Sequence, residues 1–220
     1  MASGPEDTKA RILEAAAKLF ADKGFDSATV REICQEAGAN LQAISYHFGD
    51  KASLYVEAVK YAHRLMHDPA GKQIPTLPGE MAPEAKLELM IRAFFQHMFE
   101  NDPLRRPDWC QRLVLREFMN PTQACRDLVD EFIRPANEQF VGIIQEILPG
   151  VTDRQTQQLL VWSLVGQCTF FRMHRSVMGI LVGEDVVATL DAKRLSDHVV
   201  KFTLAALAQW REDADGTDKG

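Results

Sequence analysis

Residues 29–51 read TVREICQEAGANLQAISYHFGDK, and their caps and glycines divide them into short helices. Thr29, with Glu32 three residues on, is an N-cap with its capping-box partner, so a helix starts there and stops before Gly38. Asn40 caps a second short helix, Leu41 to His47, which Gly49 closes, and Asp50 caps the next, where Leu54, Ala58, Tyr61 and Leu65 recur at helical spacing. Two short helices joined through Ala37-Gly38-Ala39 make a helix-turn-helix pattern. Its second helix is narrow enough to enter a DNA major groove.

Upstream, Thr8 to about Lys23 forms a helix with Ile12, Ala16, Leu19 and Phe20 on one stripe, and Gly24 is placed to end it. Downstream, Pro69, Pro75, Pro78 and Pro83 with Gly71 and Gly79 mark a linker or loop over 68–83. Helices are expected again at Pro83–Phe99, Asp108–Met119, Pro121 to about Leu148, Asp153–Leu181 and Asp191–Trp210. Pro135 predicts a kink or a break in the third of these. No stretch alternates polar and apolar residues, so the expected fold is all-α. The expected division is a three-helix helix-turn-helix domain over 1–67, the linker over 68–83, a larger helical domain over 84–212 and a polar tail over 213–220.

With 25 Lys+Arg against 31 Asp+Glu among 220 residues, the net charge of −6 argues against a general binder of polyanions. The first 67 residues carry 8 basic and 9 acidic side chains, so a local DNA-reading face is compatible with that balance. The longest uncharged stretch, Gln155 to Phe171, contains four glutamines and falls short of a membrane span, which needs ~20 apolar residues. The start has no basic leader before an apolar core, and a cytoplasmic location without membrane attachment is expected. Cys34, Cys110, Cys125 and Cys168 lack CxxC spacing, so neither a disulfide framework nor a zinc site is expected, and no cofactor is implied. An enzyme built on Cys110, His97 or the Arg116-Glu117 pair would lack a nucleophile elbow, metal spacing or a phosphate loop. Enzymatic activity is therefore not expected.

ILEAAAKLFADKGFDSATVREICQEAG followed by AISYHFGDKASLY resembles the DNA-binding domain of the TetR family of bacterial transcriptional regulators, from Thr8 to Tyr61. The resemblance implies that Arg31, Gln42, Ala43, Ser45, Tyr46, His47 and Lys51 stand where the family meets double-stranded operator DNA. The chemistry agrees for several of them. Arg31 can pair bidentately with guanine and Gln42 can read a base edge, while Thr29 offers a hydroxyl and the helix starts offer backbone N–H groups to phosphate. Lys51 is a cation in the first turn of a helix, unfavourable on dipole grounds and explicable by a phosphate partner. Ala43 and Ser45 stand where the family often has a Thr-x-Tyr step, which implies an unusual operator sequence.

LVLREFMNPTQA, DEFIRPANEQF and FFRMHRSV further resemble the CecR-like subgroup. The resemblance implies a homodimeric regulator, most often a repressor, whose helical C-terminal domain takes a small-molecule effector. One short recognition helix buries little DNA, and two helices roughly 34–36 Å apart would read a pseudo-palindrome. The expected dimer seam joins Asp153–Leu181, apolar almost all round, with Asp191–Trp210. Phe94, Phe95, Met98, Trp109, Leu113, Phe118, Phe140 and Phe171 are candidates to line an apolar effector pocket, with Arg116, Gln167 and His174 as orienting polar groups. Control by a protein partner or by cysteine oxidation is the alternative reading.

Overall fold

A computed structural model of the chain describes residues 5–67, 75, 77–99 and 107–217. The described residues form helices α1 (Pro5–Ser27), α2 (Val30–Ala37), α3 (Leu41–Phe48), α4 (Lys51–His67), α5 (Pro83–Phe99), α6 (Asp108–Met119), α7 (Gln123–Leu128), α8 (Arg134–Ile147), α9 (Arg154–Met173), α10 (Arg175–Val182), α11 (Glu184–Ala188) and α12 (Ala192–Thr217), and no strand. The fold is all-α, as the periodicity predicts. Linker residues 68–74 and 76 lie outside the described residues.

The chain clusters into two compact units, Met1–Gly71 with Pro103–Ile133, and Lys72–Asp102 with Arg134–Gly220. In the first, α1 packs against α2, α4 and α6, with the small residues Ala15, Ala16, Ala17 and Ala21 on its buried side. Small side chains let helices approach closely, and the larger Ile12, Phe20, Ile33, Leu54 and Leu113 fill the remaining space. Each fully buried side chain of this size contributes ~1.5–3 kcal/mol through removal from water. Gly24 breaks α1 at φ 81°, and the turn it makes brings Phe25 beside Tyr55, which also meets Phe20 edge-on at 5.0 Å. A Cβ at residue 24 would collide with the Arg116 guanidinium.

In the second unit α5, α8, α9 and α12 surround Leu87, Ile91, Phe95, Ile144, Leu164 and Val199. Gln157, buried among them, donates to the Val151 carbonyl at 2.7 Å and accepts from Gln145 at 3.1 Å, so its amide is satisfied.

Helix boundaries differ from the sequence expectation at the start of α1, which begins at Pro5 rather than Thr8, and in three further places. The helix expected over Asp153–Leu181 ends at Met173, because His174 turns to φ −110°, ψ 17°, and α10 then starts separately. The helix expected from Pro121 begins at Gln123, capped by the Thr122 hydroxyl, and a π-helical turn at Val129–Ile133 precedes Pro135. Proline has no N–H for the carbonyl four residues back, and a wider turn is one way to accommodate that loss. The last helix continues beyond Trp210 to Thr217, supported by the Gln209 amide donating to Asp213 at 2.9 Å.

Candidate nucleic-acid interface

Local hydrogen bonds hold α2 and α3 in place. The Thr29 hydroxyl accepts from the Glu32 N–H at 3.2 Å and donates to the Glu32 carboxylate at 2.9 Å, which also accepts the Thr29 N–H at 2.9 Å. Lys23 Nζ reaches the other Glu32 oxygen at 2.7 Å. Lys23 first, then Thr29, lower the Glu32 pKa to about 2. The Thr29 hydroxyl is thus engaged inside the capping box. At the far end of α2, Gly38 adopts a left-handed conformation, φ 59°, and Ala39 N–H closes back on the Cys34 carbonyl at 2.9 Å. Asn40 Oδ1 then accepts from Ala43 N–H at 2.9 Å and starts α3.

On α3, Ile44 and Phe48 are buried, whereas Leu41, Gln42, Ser45 and Tyr46 are exposed, and Ala43 and His47 lie between the two faces. Tyr46 is 82% exposed, its ring edge-on to His47 at 4.9 Å. Arg31 is exposed at the start of α2 and makes no ion pair among the described residues. Glu32, a possible internal partner for Arg31, is occupied by Lys23. Lys51 lies with its ammonium 4.6 Å from the Phe25 ring centre and 3.4 Å from the Asp26 carbonyl, which accounts for a cation in this first turn without DNA present. Asp50 caps α4 through Ser53 N–H at 2.7 Å, and that bond is the main cause holding its carboxyl below the usual range.

Helix α4 is tied to α6 and α7 through Glu117, which the sequence offers only as half of a candidate enzymatic pair, and through Tyr55, to which it assigns no role. Glu117 of α6 is 1% exposed, and its carboxylate accepts the Tyr55 hydroxyl at 2.8 Å, the Thr122 N–H and hydroxyl at 2.6 and 2.7 Å, and the Cys125 N–H at 3.0 Å. Burial and this carboxylate push the Tyr55 phenol well above its usual range. Lys60 and Arg64 of α4 pair with Glu131 at 2.7 and 3.8 Å. His63 lies against Phe132 at 4.8 Å, and burial first, then Arg64, lower its pKa to about 4.

The candidate effector residues fall in both units. Trp109, Leu113, Arg116 and Phe118 belong to α6 of the first. Trp109 stacks on Tyr61 at 6.2 Å, its Nε1 buried without a hydrogen-bond partner among the described residues. Leu113 is buried, Phe118 is exposed, and Arg116 donates to the Ala21 carbonyl at 3.4 Å. In the second unit Phe95 is buried and meets Phe94 at 6.2 Å and Phe171 at 6.3 Å, and Phe140 is buried in the same core. The Met98 side chain lies outside the described residues. Gln167 and Phe171 line an open groove of about 320 Å³ with Gly166, Phe170 and His198, and His174 stacks on Phe170 at 4.6 Å. His198 has no sequence signal that separates it from an ordinary surface histidine.

A family model described as bacterial regulatory proteins of the tetR family matches residues 12–58, and one described as the C-terminal domain of the HTH-type transcriptional dual regulator CecR matches residues 83–207. The dual regulator CecR of Shigella flexneri is 25% identical over 187 residues, 81% of each chain. The transcriptional repressor AcnR of Corynebacterium glutamicum is 28% identical over 108 residues, 48% of this chain and 57% of its own. Among solved structures, a TetR-like transcriptional regulator from Rhodococcus sp. RHA1 superposes with a TM-score of 0.54 at 14% identity, covering 91% of this chain and 96% of its own.

Proposed function

The chain belongs to the TetR family of bacterial transcriptional regulators, with a C-terminal domain of the CecR type, and from that premise we propose that it acts as a homodimeric repressor released from a pseudo-palindromic operator by a small, largely apolar effector. It is a DNA-binding regulator and not an enzyme. The observation that carries the proposal is the face of α3. A rigidly capped, eight-residue helix keeps Gln42, Ser45 and Tyr46 in solvent while Ile44 and Phe48 anchor its other side. Arg31 adds an exposed cation without an ion pair among the described residues. Arg31 and Gln42 read base edges, Tyr46, His47 and Lys51 hold the phosphate backbone, and Ala43 and Ser45 let α3 approach the groove floor.

Homodimerisation through α9 and α12 is supported by their exposed apolar residues, Leu159, Trp162 and Phe170 on α9, and Phe202 and Trp210 on α12. The second unit takes the effector, for which its aromatic residues Phe94, Phe95, Phe140 and Phe171 are the best candidates. Effector and DNA communicate only through a difference in affinity for two conformations, typically ~1–3 kcal/mol. Cysteine oxidation is the weaker reading, since burial is the main cause raising the Cys34, Cys125 and Cys168 pKa values, that of Cys168 to about 12. The test is selection of binding sites from random DNA, followed by a titration that counts chains per site. Two chains on a two-fold symmetric site are expected; one chain on an asymmetric site would overturn the dimeric repressor.

A further inference from the structure

We infer that Leu41 is a further specificity-determining residue, reading the C5-methyl group of a thymine in the operator major groove. Leu41 is the first residue of α3 and is 53% exposed. Among the described residues of α1 to α4, Leu41 and Tyr46 are the large apolar side chains left exposed, and both lie on the solvent face of α3. Leu41 and Ser45 are one turn apart, and so are Gln42 and Tyr46, which makes two adjacent exposed rows. Asn40 fixes the first turn through Ala43 N–H, so the Leu41 backbone is held in place before any DNA arrives.

Ala43 and Ser45 are too small to screen the leucine. An isobutyl group has no hydrogen bond to offer a base edge, and the thymine methyl is the apolar group that the major groove presents. Leu41 therefore favours thymine over cytosine at the operator position facing the N-terminal end of α3.

The inference rests on α3 being the helix that enters the groove, and its test keeps the two separable. Operator DNA obtained by selection is remade with single thymines replaced by deoxyuridine, which removes the methyl group and preserves base pairing. Fluorescence anisotropy then compares the wild type with Leu41→Ala and Leu41→Met, each first checked for native helix content. At one position per half-site, deoxyuridine should weaken wild-type binding roughly four-fold when one half-site is replaced and roughly fifteen-fold when both are, as expected for losing one buried methyl-sized contact per site. Leu41→Met should keep that sensitivity and Leu41→Ala should lose it. A selected consensus that is insensitive to deoxyuridine, or equally sensitive in Leu41→Ala, would overturn the role of Leu41 alone. A selection that yields no consensus would overturn the placement of α3 in the groove, and this inference with it.

Discussion

Glu32 is the residue whose chemistry most directly organises the candidate interface, because its one carboxylate holds Thr29 and Lys23 together at the start of α2. Its pKa in the folded chain, about 2, lies below the ordinary carboxylate value, with the Lys23 hydrogen bond as the largest cause. A depressed folded pKa means that the unfolded chain binds the proton more readily, so the contribution is complete above the unfolded value and disappears as pH falls through the folded one. Denaturant titrations from pH 6 down to about pH 2 should therefore find wild type losing stability more steeply than Glu32→Gln below about pH 5. Parallel curves would mean that the capping box does not depend on the charge. Arg31 is the complementary case, a charge with no internal role among the described residues, so Arg31→Ala should leave stability unchanged while affecting the DNA complex.

At the scale of elements, α4 is the helix that joins α3 to α6 and α7 within its unit. It contacts α1, α3, α6 and α7, and its deepest polar tie is Tyr55 to Glu117. Tyr55→Phe keeps the ring packed against Phe20 and Phe25 but removes one donor from a buried carboxylate. A hydrogen bond to a charged group contributes ~1.5–3 kcal/mol, so denaturant unfolding should report a loss of that order. An unchanged midpoint would mean that Thr122 and Cys125 satisfy Glu117 without help. The caps and turns of α2 and α3 were legible from sequence because their partners lie within a few residues, Thr29 with Glu32 and Asn40 with Ala43. The Glu117 cluster was not, since Tyr55 and Glu117 are 62 residues apart and nothing local marks either as polar core. The break at His174 was equally hidden, because FFRMHRSV contains neither proline nor glycine.

For the whole molecule, the apolar periodicity marked α9 as a helix with too much hydrophobic surface for one core, and Trp162 is accordingly 61% exposed. Periodicity alone could not say which apolar residues of α9 face inward: Val161, Leu164 and Cys168 are buried, whereas Leu159, Trp162 and Phe170 are exposed. If a second copy covers the α9 and α12 surface, Trp162→Asp buries an unpaired charge at the seam. Sedimentation should then find a monomer, and operator affinity should fall because two recognition helices no longer bind as one unit. A Trp162→Asp protein that stays dimeric would move the seam away from α9.

Fluorescence anisotropy on a selected operator and on random DNA, at two salt concentrations, with wild type and Arg31→Ala, tests whether α2 and α3 form the DNA reader. Binding should be tighter on the operator, weaken as salt rises, and drop at least roughly ten- to hundred-fold in Arg31→Ala, the range of one lost bidentate base contact, with a second lost in the other half-site. Equal affinity for operator and random DNA, with no effect of Arg31→Ala, would contradict that role for α2 and α3.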